Sequence, residues 1–267
     1  MALRAVFLDL DETLILDALS TDVALQTTLA EACILHGLGD PASIGQAVLG
    51  EAEGLWAAGP HAPYCRRIGI SASEGLWASF ALGDDPDTAG LRGFAPAYRR
   101  EAWRLGVQGL RQEADGDVVA ELAERFVWER GRRQIVYPEV LPALGALRCR
   151  GLQLVLVTNG DRDLQRRKAV ASGLLPLFDH VVISGQVGVG KPDPDLFRHA
   201  LRLCAVSAQE AVMVGDSEAR DILGGQAAGL RTVWIDRWGE ASDLESPPRP
   251  WGLLPDLAGL PTLLSSF

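Results

Sequence analysis

Apolar and polar positions fall into blocks along the chain. Arg4 to Leu10 is a short apolar run ending in acids, the pattern of a buried strand. From about Asp17 to Arg133 apolar residues recur at helical intervals. Leu25, Leu29, Ala32 and Cys33 share one predicted face, and Val118, Leu122 and Phe126 another, with Arg130 extending it as a mixed face. After Tyr137-Pro138 strand and helix alternate. The pattern predicts a helix over Glu139–Arg150, a strand over Leu152–Val157 and a polar helix starting near Asp161. It continues with a strand at Val181–Ile183, a helix over Pro194–Cys204 and a strand over Ala211–Val214, then a helix over Glu218–Ala228 and a strand over Thr232–Ile235. Ser246–Pro250 reads as a surface loop before a short terminal helix. Continuous apolar strands separated by helices predict a doubly wound parallel sheet covered on both faces. The expected class is α/β, with residues 1–14 and 137–267 forming the sheet domain and residues 15–136 an all-helical insertion.

Composition narrows the function. With 48% hydrophobic and 22% charged residues over 267 positions, disorder, collagen and coiled coil are excluded. A net charge of −10 opposes binding to a phosphate backbone or an anionic membrane, so no nucleic acid and no membrane are expected as partners. The longest stretch free of charged residues, Gly54 to Cys65, falls short of the ~20 residues that span a bilayer. Asp9 and Asp11 interrupt the N-terminus before a signal-type apolar region is complete, which makes a cytoplasmic location the expectation. Cys33, Cys65, Cys149 and Cys204 show no Cys-x-x-Cys spacing and read as reduced, mostly buried thiols. Of 25 basic residues only Lys168 and Lys191 are lysine, which singles both out.

Ligands of open α/β sheets bind outside the carboxyl ends of the strands, near the point where strand order reverses. The first strand ends in Asp9-Leu-Asp11-Glu-Thr13, the second in Thr158-Asn159-Gly160 and the fourth in Gly215-Asp216-Ser217, while Lys191 follows the glycine-rich loop after the third. Singly, such residues also serve as turns and helix caps. Together they bring three carboxylates, a hydroxyl and a cation to one rim. Two residues apart in extended chain, Asp9 and Asp11 point the same way, and such like charges call for a shared cation or proton. Mg²⁺ takes oxygen ligands from one or two carboxylates, waters and a substrate phosphate, and Asp9 and Asp216 could supply the carboxylates. A carboxylate can also attack phosphorus, with Lys191 offsetting phosphate charge. Two other motifs fail. Gly185 to Lys191 has the spacing of a phosphate-binding loop, but Pro192 replaces the required hydroxyl and lacks an N–H. Asp9-x-Asp11-x-Thr13 starts like a Ca²⁺ loop, yet Leu14 and Ser20 occupy the places of its glycine and glutamate.

Asp9-Leu-Asp-Glu-Thr13, Thr158-Asn-Gly160, Lys191-Pro192 and Gly215-Asp-Ser-Glu-Ala-Arg-Asp221 resemble, in order, the four motifs of the haloacid dehalogenase superfamily. The resemblance implies a Rossmann-like core with a helical cap domain inserted between the first and second motifs. Thr158 to Asp163 and Val212 to Ile235 are most similar to the N-acylneuraminate-9-phosphatase branch. What the resemblance implies is a Mg²⁺-dependent phosphatase of small organic phosphomonoesters, such as sugar phosphates, working through an aspartyl phosphate. Asp9 would be the nucleophile and a metal ligand. Asp11 would protonate the leaving oxygen, later deprotonate water, and bind metal through its backbone carbonyl. Thr13, Thr158, Asn159, Gly160 and Lys191 would hold the substrate, with Thr158 and Lys191 on the phosphoryl oxygens. Asp216 would complete the metal ligands, and Asp221 would orient a water or Lys191. Arg220 departs from the Asn often found at its place.

Four readings of the same residues stay distinct. Asp11 as a general acid favours phosphate esters over metal-independent 2-haloacid dehalogenation. A phosphotransferase or phosphomutase would share every motif, and a silent binding protein would keep the fold alone. No lysine precedes Lys168, so a cap-lysine Schiff base is excluded. In the insertion, Arg66, Arg67, Arg99, Arg100 and Arg104 read as a solvated face paired with Glu101, and Trp56, Trp77, Trp103 and Trp128 as packing residues. His36, His61, His180 and His199 show no ligand spacing. Monomer and homodimer are both open.

Overall fold

The first apolar run forms β1 (Ala5–Leu8), buried at every residue. Among the described residues five further strands follow: β2 (Gln153–Thr158), β3 (His180–Ile183), β4 (Ala211–Gly215), β5 (Arg231–Ile235) and β6 (Gly252–Leu254). The computed structural model describes residues 2–83, 85–109, 115–239 and 249–267. All strand pairs run parallel, in the order β3-β2-β1-β4-β5-β6. Strand order reverses between β3 and β4, so the carboxyl ends of β1 and β4 flank the switch point. Leu8 pairs with Leu156 on one side and with Val214 on the other, which fixes Asp9 between the ends of β2 and β4. Ala5, Phe7, Val155, Val157, Val182 and Met213 share one sheet face and pack with Leu196, Phe197 and Ala200. Among the described residues no helix is long and apolar enough to cross a membrane.

The chain divides into two compact units. Met1–Leu16, Val136–Asn159 and Ser172–Phe267 hold the sheet, while Asp17–Ile135 and Gly160–Ala171 are helical. The helical unit comprises α1 (Asp17–His36), α2 (Pro41–Ala58), α3 (Ala62–Ile68), α4 (Ala72–Gly75), α5 (Pro86–Gln108), α6 (Gly116–Gly131) and α8 (Arg162–Ala171). The sheet unit carries α7 (Val140–Cys149), α9 (Ser184–Val187), α10 (Pro194–Cys204), α11 (Gly224–Ala227) and α12 (Leu260–Leu263).

Two elements differ from the sequence expectation. Glu218–Leu223 is π-helical and only Gly224–Ala227 is α-helical, where one continuous helix was expected. The Ser217 carbonyl accepts from both Asp221 N at 2.8 Å and Ile222 N at 3.3 Å, and the widened turn lets Asp221 Oδ2 accept from Ser217 N at 3.1 Å. β6 was not anticipated at all. It is a three-residue edge strand beginning at Gly252, where a Cβ would come within 2.5 Å of Leu263. Of the loop expected at Ser246–Pro250, residues 246–248 lie outside the described residues.

Within the helical unit, Leu25, Leu29, Val48, Trp103 and Phe126 form the core. Gly106 of α5 allows close approach to α2, since a Cβ there would come within 2.6 Å of the Val48 backbone. Trp56, Trp77 and Trp103 are buried, whereas Trp128 is exposed beneath the Arg132 guanidinium, 4.1 Å from its ring centroid. Arg104 pairs with Glu101 at 2.5 Å and Arg67 with Asp87 at 3.3 Å, while Arg99 donates to the Gly75 carbonyl. Lys168 is fully buried, its Nζ lying 2.9 Å from both Asp17 Oδ1 and Glu74 Oε1. Arg130, equally buried, also pairs with Asp17 and lies over the Trp77 ring. Buried cations in such pairs are costly to orphan, and here the network binds α1, α4, α6 and α8.

Asp161 precedes and caps α8, its Oδ1 accepting from Asp163 N and Leu164 N at 3.0 Å each. Burial pushes this carboxyl up from 3.8 to about 6. A raised carboxyl pKa means that the folded state binds its proton more tightly than the unfolded chain, so this group lowers stability as pH rises through that window. Asp161→Asn keeps the capping carbonyl and removes the charge. Urea denaturation is expected to show the variant more stable by about 1–3 kcal/mol at pH 8 and nearly unchanged at pH 4. Destabilisation at pH 8 would mean that the ionised cap outweighs its burial.

Candidate active site

Continuous apolar strands end at the rim in residues that prefer turns, and so β1, β2 and β4 deliver their polar residues together. Asp9 follows β1 and is 7% exposed, its backbone N donating to Val214 O at 3.0 Å. Lys191 follows β3 and α9, and its Nζ lies 2.5 Å from Asp9 Oδ1 and 2.7 Å from Asp221 Oδ1 and donates to Val157 O at 3.1 Å. Burial alone would depress the ammonium, but Asp221 and Asp9 hold its pKa above the ordinary lysine value. Asp216 accepts from Thr13 Oγ1 at 3.0 Å, while its backbone N donates to the same oxygen at 3.0 Å. Trp234 Nε1 further fixes the segment by donating to Asp216 O at 2.8 Å.

One carboxylate oxygen from each of Asp9, Asp216 and Asp221 lies within 4.8 Å of the other two. Burial, then the charges of Asp9 and Asp221, pushes Asp216 up to about 7. Asp221 rises to about 6 through burial, against the pull of Lys191. One ammonium among three carboxylates leaves excess negative charge in a dry place, and an all-oxygen donor set of this kind fits a hard divalent cation. Close approach at this corner requires glycine. A Cβ at Gly215 would meet the Asp221 carboxyl at 2.3 Å, and one at Gly224 would meet Pro192 Cα at 2.8 Å.

The remaining predicted residues fall into two groups. Thr158 ends β2, 1% exposed, and its hydroxyl donates to Asn159 O at 3.4 Å. The Asn159 side chain clamps Lys191, accepting from its N at 2.7 Å and donating to its O at 2.9 Å. Asp11 is half-buried on the turn after β1, where it forms a bridge with Ile15, and its carboxylate is not one of the clustered three. Gly160 has φ +135°, a conformation that favours glycine. It groups with the helical unit, its N donating to Ile68 O at 3.0 Å. The Asn159 clamp and the Trp234 contact were not foreseen, because both act on main-chain atoms and leave no trace in residue spacing. All four cysteines are free, with Cys33, Cys65 and Cys204 buried and Cys149 exposed.

Comparison with known proteins agrees with this geometry. The chain is 40% identical over 251 residues to a phosphoserine phosphatase of Thermus thermophilus, covering 92% of this chain and 94% of that protein. It is 38% identical over 172 residues to N-acylneuraminate-9-phosphatase of Mus musculus, covering 63% of this chain and 68% of the relative. The crystal structure of a 2-haloacid dehalogenase from Pseudomonas syringae pv. tomato superposes with a TM-score of 0.62 at 26% identity, covering 99% of each chain. Residues 3–229 match the model of the haloacid dehalogenase-like hydrolases, and the chain belongs to that family.

Proposed function

We propose that the chain is a Mg²⁺-dependent phosphatase that hydrolyses a small organic phosphomonoester through phosphorylated Asp9. The observation that carries the reading is the convergence of Asp9, Asp216 and Asp221 around Lys191 at the switch point. Asp9 and Asp216 are the side chains proposed to hold Mg²⁺, with Asp11 contributing its backbone carbonyl and Asp221 holding Lys191. When bound, the cation supplies charge neutralisation for a phosphoryl group approaching three acids. Asp9 attacks phosphorus, and Asp11 protonates the departing oxygen so that it leaves as an alcohol. In the second half Asp11 takes a proton from water, which attacks the same phosphorus and frees Asp9. Lys191, clamped by Asn159, faces the phosphoryl oxygens with Thr158, and Thr13 keeps Asp216 in place. Gly160 and the Asn159 backbone complete the proposed substrate contacts.

The helical unit is proposed to be the cap, and phosphatase names among the relatives support small phosphate esters as substrates. A carboxylate cluster suited to a cation favours this over metal-independent haloacid displacement. Free thiols and a net charge of −10 support a cytoplasmic place of action. Phosphate release from a panel containing phosphoserine, sugar phosphates and an aryl phosphate is expected with Mg²⁺ and not with chelator. Halide release from 2-haloacids in chelator would overturn the proposal, and an isomerised sugar phosphate without free phosphate would replace it with a mutase.

A further inference from the structure

The turn after Asp9 is held by a side chain from the segment that follows β5. Glu12 has φ 60°, a left-handed conformation that strains a non-glycine residue. Backbone bonds brace the turn from within: Glu12 N donates to Ile15 O at 2.8 Å and Leu14 N to Leu10 O at 2.8 Å. Arg237, two residues past β5, braces it from outside. Its Nε donates to Glu12 O at 3.3 Å and its Nη2 to Thr13 O at 2.9 Å. The same Nη2 lies 2.8 Å from Glu139 Oε1, and the guanidinium carbon sits 3.3 Å from the centroid of the Tyr137 ring. Tyr137 returns to the turn by donating its hydroxyl to Glu12 Oε2 at 3.4 Å and its N to Leu14 O at 3.2 Å. The Arg237 side chain is 9% exposed, so these partners replace most of its water.

A planar guanidinium suits this place and an ammonium does not. It can lie over the Tyr137 ring while its edge donates to two successive carbonyls and its charge faces the Glu139 carboxylate, a combination that a point charge cannot span. The strained residue lies between Asp11 and Thr13, which hydrogen-bonds Asp216. Holding the carbonyls of Glu12 and Thr13 therefore fixes the backbone on the carboxyl side of Glu12, while the bond from Glu12 N to Ile15 O holds its amino side next to Asp11.

We propose that Arg237 is a positioning residue: it holds the turn that carries Asp11, and so sets the general acid against the leaving-group oxygen. The inference rests on the proposed phosphatase chemistry of Asp11. A general acid matters for an alkoxide leaving group and little for a nitrophenolate, which leaves without a proton. A misplaced Asp11 therefore has a signature that a merely weakened fold lacks.

The test compares wild type, Arg237→Ala, Arg237→Lys and Asp11→Asn in single-turnover release of the leaving group from 4-nitrophenyl phosphate and from an alkyl phosphate. Arg237→Ala is expected to slow the alkyl ester by about 10–100-fold, part of the ~10²–10⁴ a general acid supplies, and the aryl ester by less than about threefold. Asp11→Asn is expected to show the same pattern more strongly, and Arg237→Lys to fall between. Hydrogen exchange in Arg237→Ala should accelerate at the amides of Glu12, Leu14 and Ile15 and stay unchanged in β1, β2 and β4. Equal slowing of both esters with general loss of protection, or no change in either readout, would overturn the positioning role. Wild type inactive on both esters would overturn the phosphatase reading instead, and the exchange data would still decide whether Arg237 holds the turn.

Discussion

Asp9→Asn is expected to lower kcat by about 10⁴-fold or more, which is at least ~5 kcal/mol of lost transition-state stabilisation. An amide of the same shape cannot form an acyl phosphate, and no neighbouring group can take its place at the end of β1. Asp216 and Asp221 are the carboxylates clustered with it, yet Asp216 is engaged by Thr13 and Asp221 by Lys191 and Ser217. Stability should change far less than activity. The substitution removes one partner of Lys191 but leaves Asp221 at 2.7 Å, and it relieves repulsion on Asp216, whose carboxyl is pushed up to about 7 partly by Asp9. Steady-state kinetics with a substrate of the wild type, alongside thermal melts, checks both halves. Activity within tenfold of wild type would remove Asp9 from the nucleophile's role.

Lys191→Met is expected to damage both folding and turnover. Removing one partner of a buried ion pair costs about 3–5 kcal/mol because the other is left uncompensated, and here two carboxylates lose the same ammonium. The sign with pH follows from the lysine itself. Its pKa is held above the ordinary value of 10.5, so its contribution is fully present below that value and is lost only as pH rises through the raised one. The destabilisation should therefore appear at pH 8 in full. It should shrink toward pH 5, because Asp221, already raised to about 6 beside Lys191 and pushed further up without that ammonium, takes up a proton there. Urea titrations at the two pH values measure this. Unchanged stability at pH 8 would contradict the placement of Lys191 as the counter-ion of the cluster.

Most of the sheet and all of the clustered acids are legible in the sequence, for identifiable reasons. Buried parallel strands read as unbroken apolar runs, and Pro194–Cys204 is found with its expected bounds because a proline opens it and its apolar positions keep a strict helical period. Asp9 and Asp216 directly follow the ends of β1 and β4, where topology brings them together, whereas Lys191 lies on the loop after α9 and Asp221 in the π-turn, and Asp221 was expected from the family motif. What escapes is carried by backbone. β6 has three residues and a glycine, too few for a period. The π-turn at Glu218–Leu223 differs from an α-turn in hydrogen bonding and hardly in composition. Arg237 and Asn159 act on carbonyls and amides, whose partners no side-chain pattern records. Trp128 was expected to pack because of its residue type, but it stands off the Leu122, Phe126 and Arg130 stripe of its helix and lies under Arg132 at the surface.

In the proposed scheme phosphate passes through the Asp9 carboxylate. Borohydride reduces an acyl phosphate to an alcohol, which converts aspartyl phosphate to homoserine. Quenching the enzyme during turnover, reducing it and sequencing the peptides by mass spectrometry reads the site directly. Homoserine at position 9, dependent on substrate and absent from Asp9→Asn, is the expected result. Reduction at another acid, or none while phosphate is being released in a phosphorylation-accumulating steady state, would contradict it.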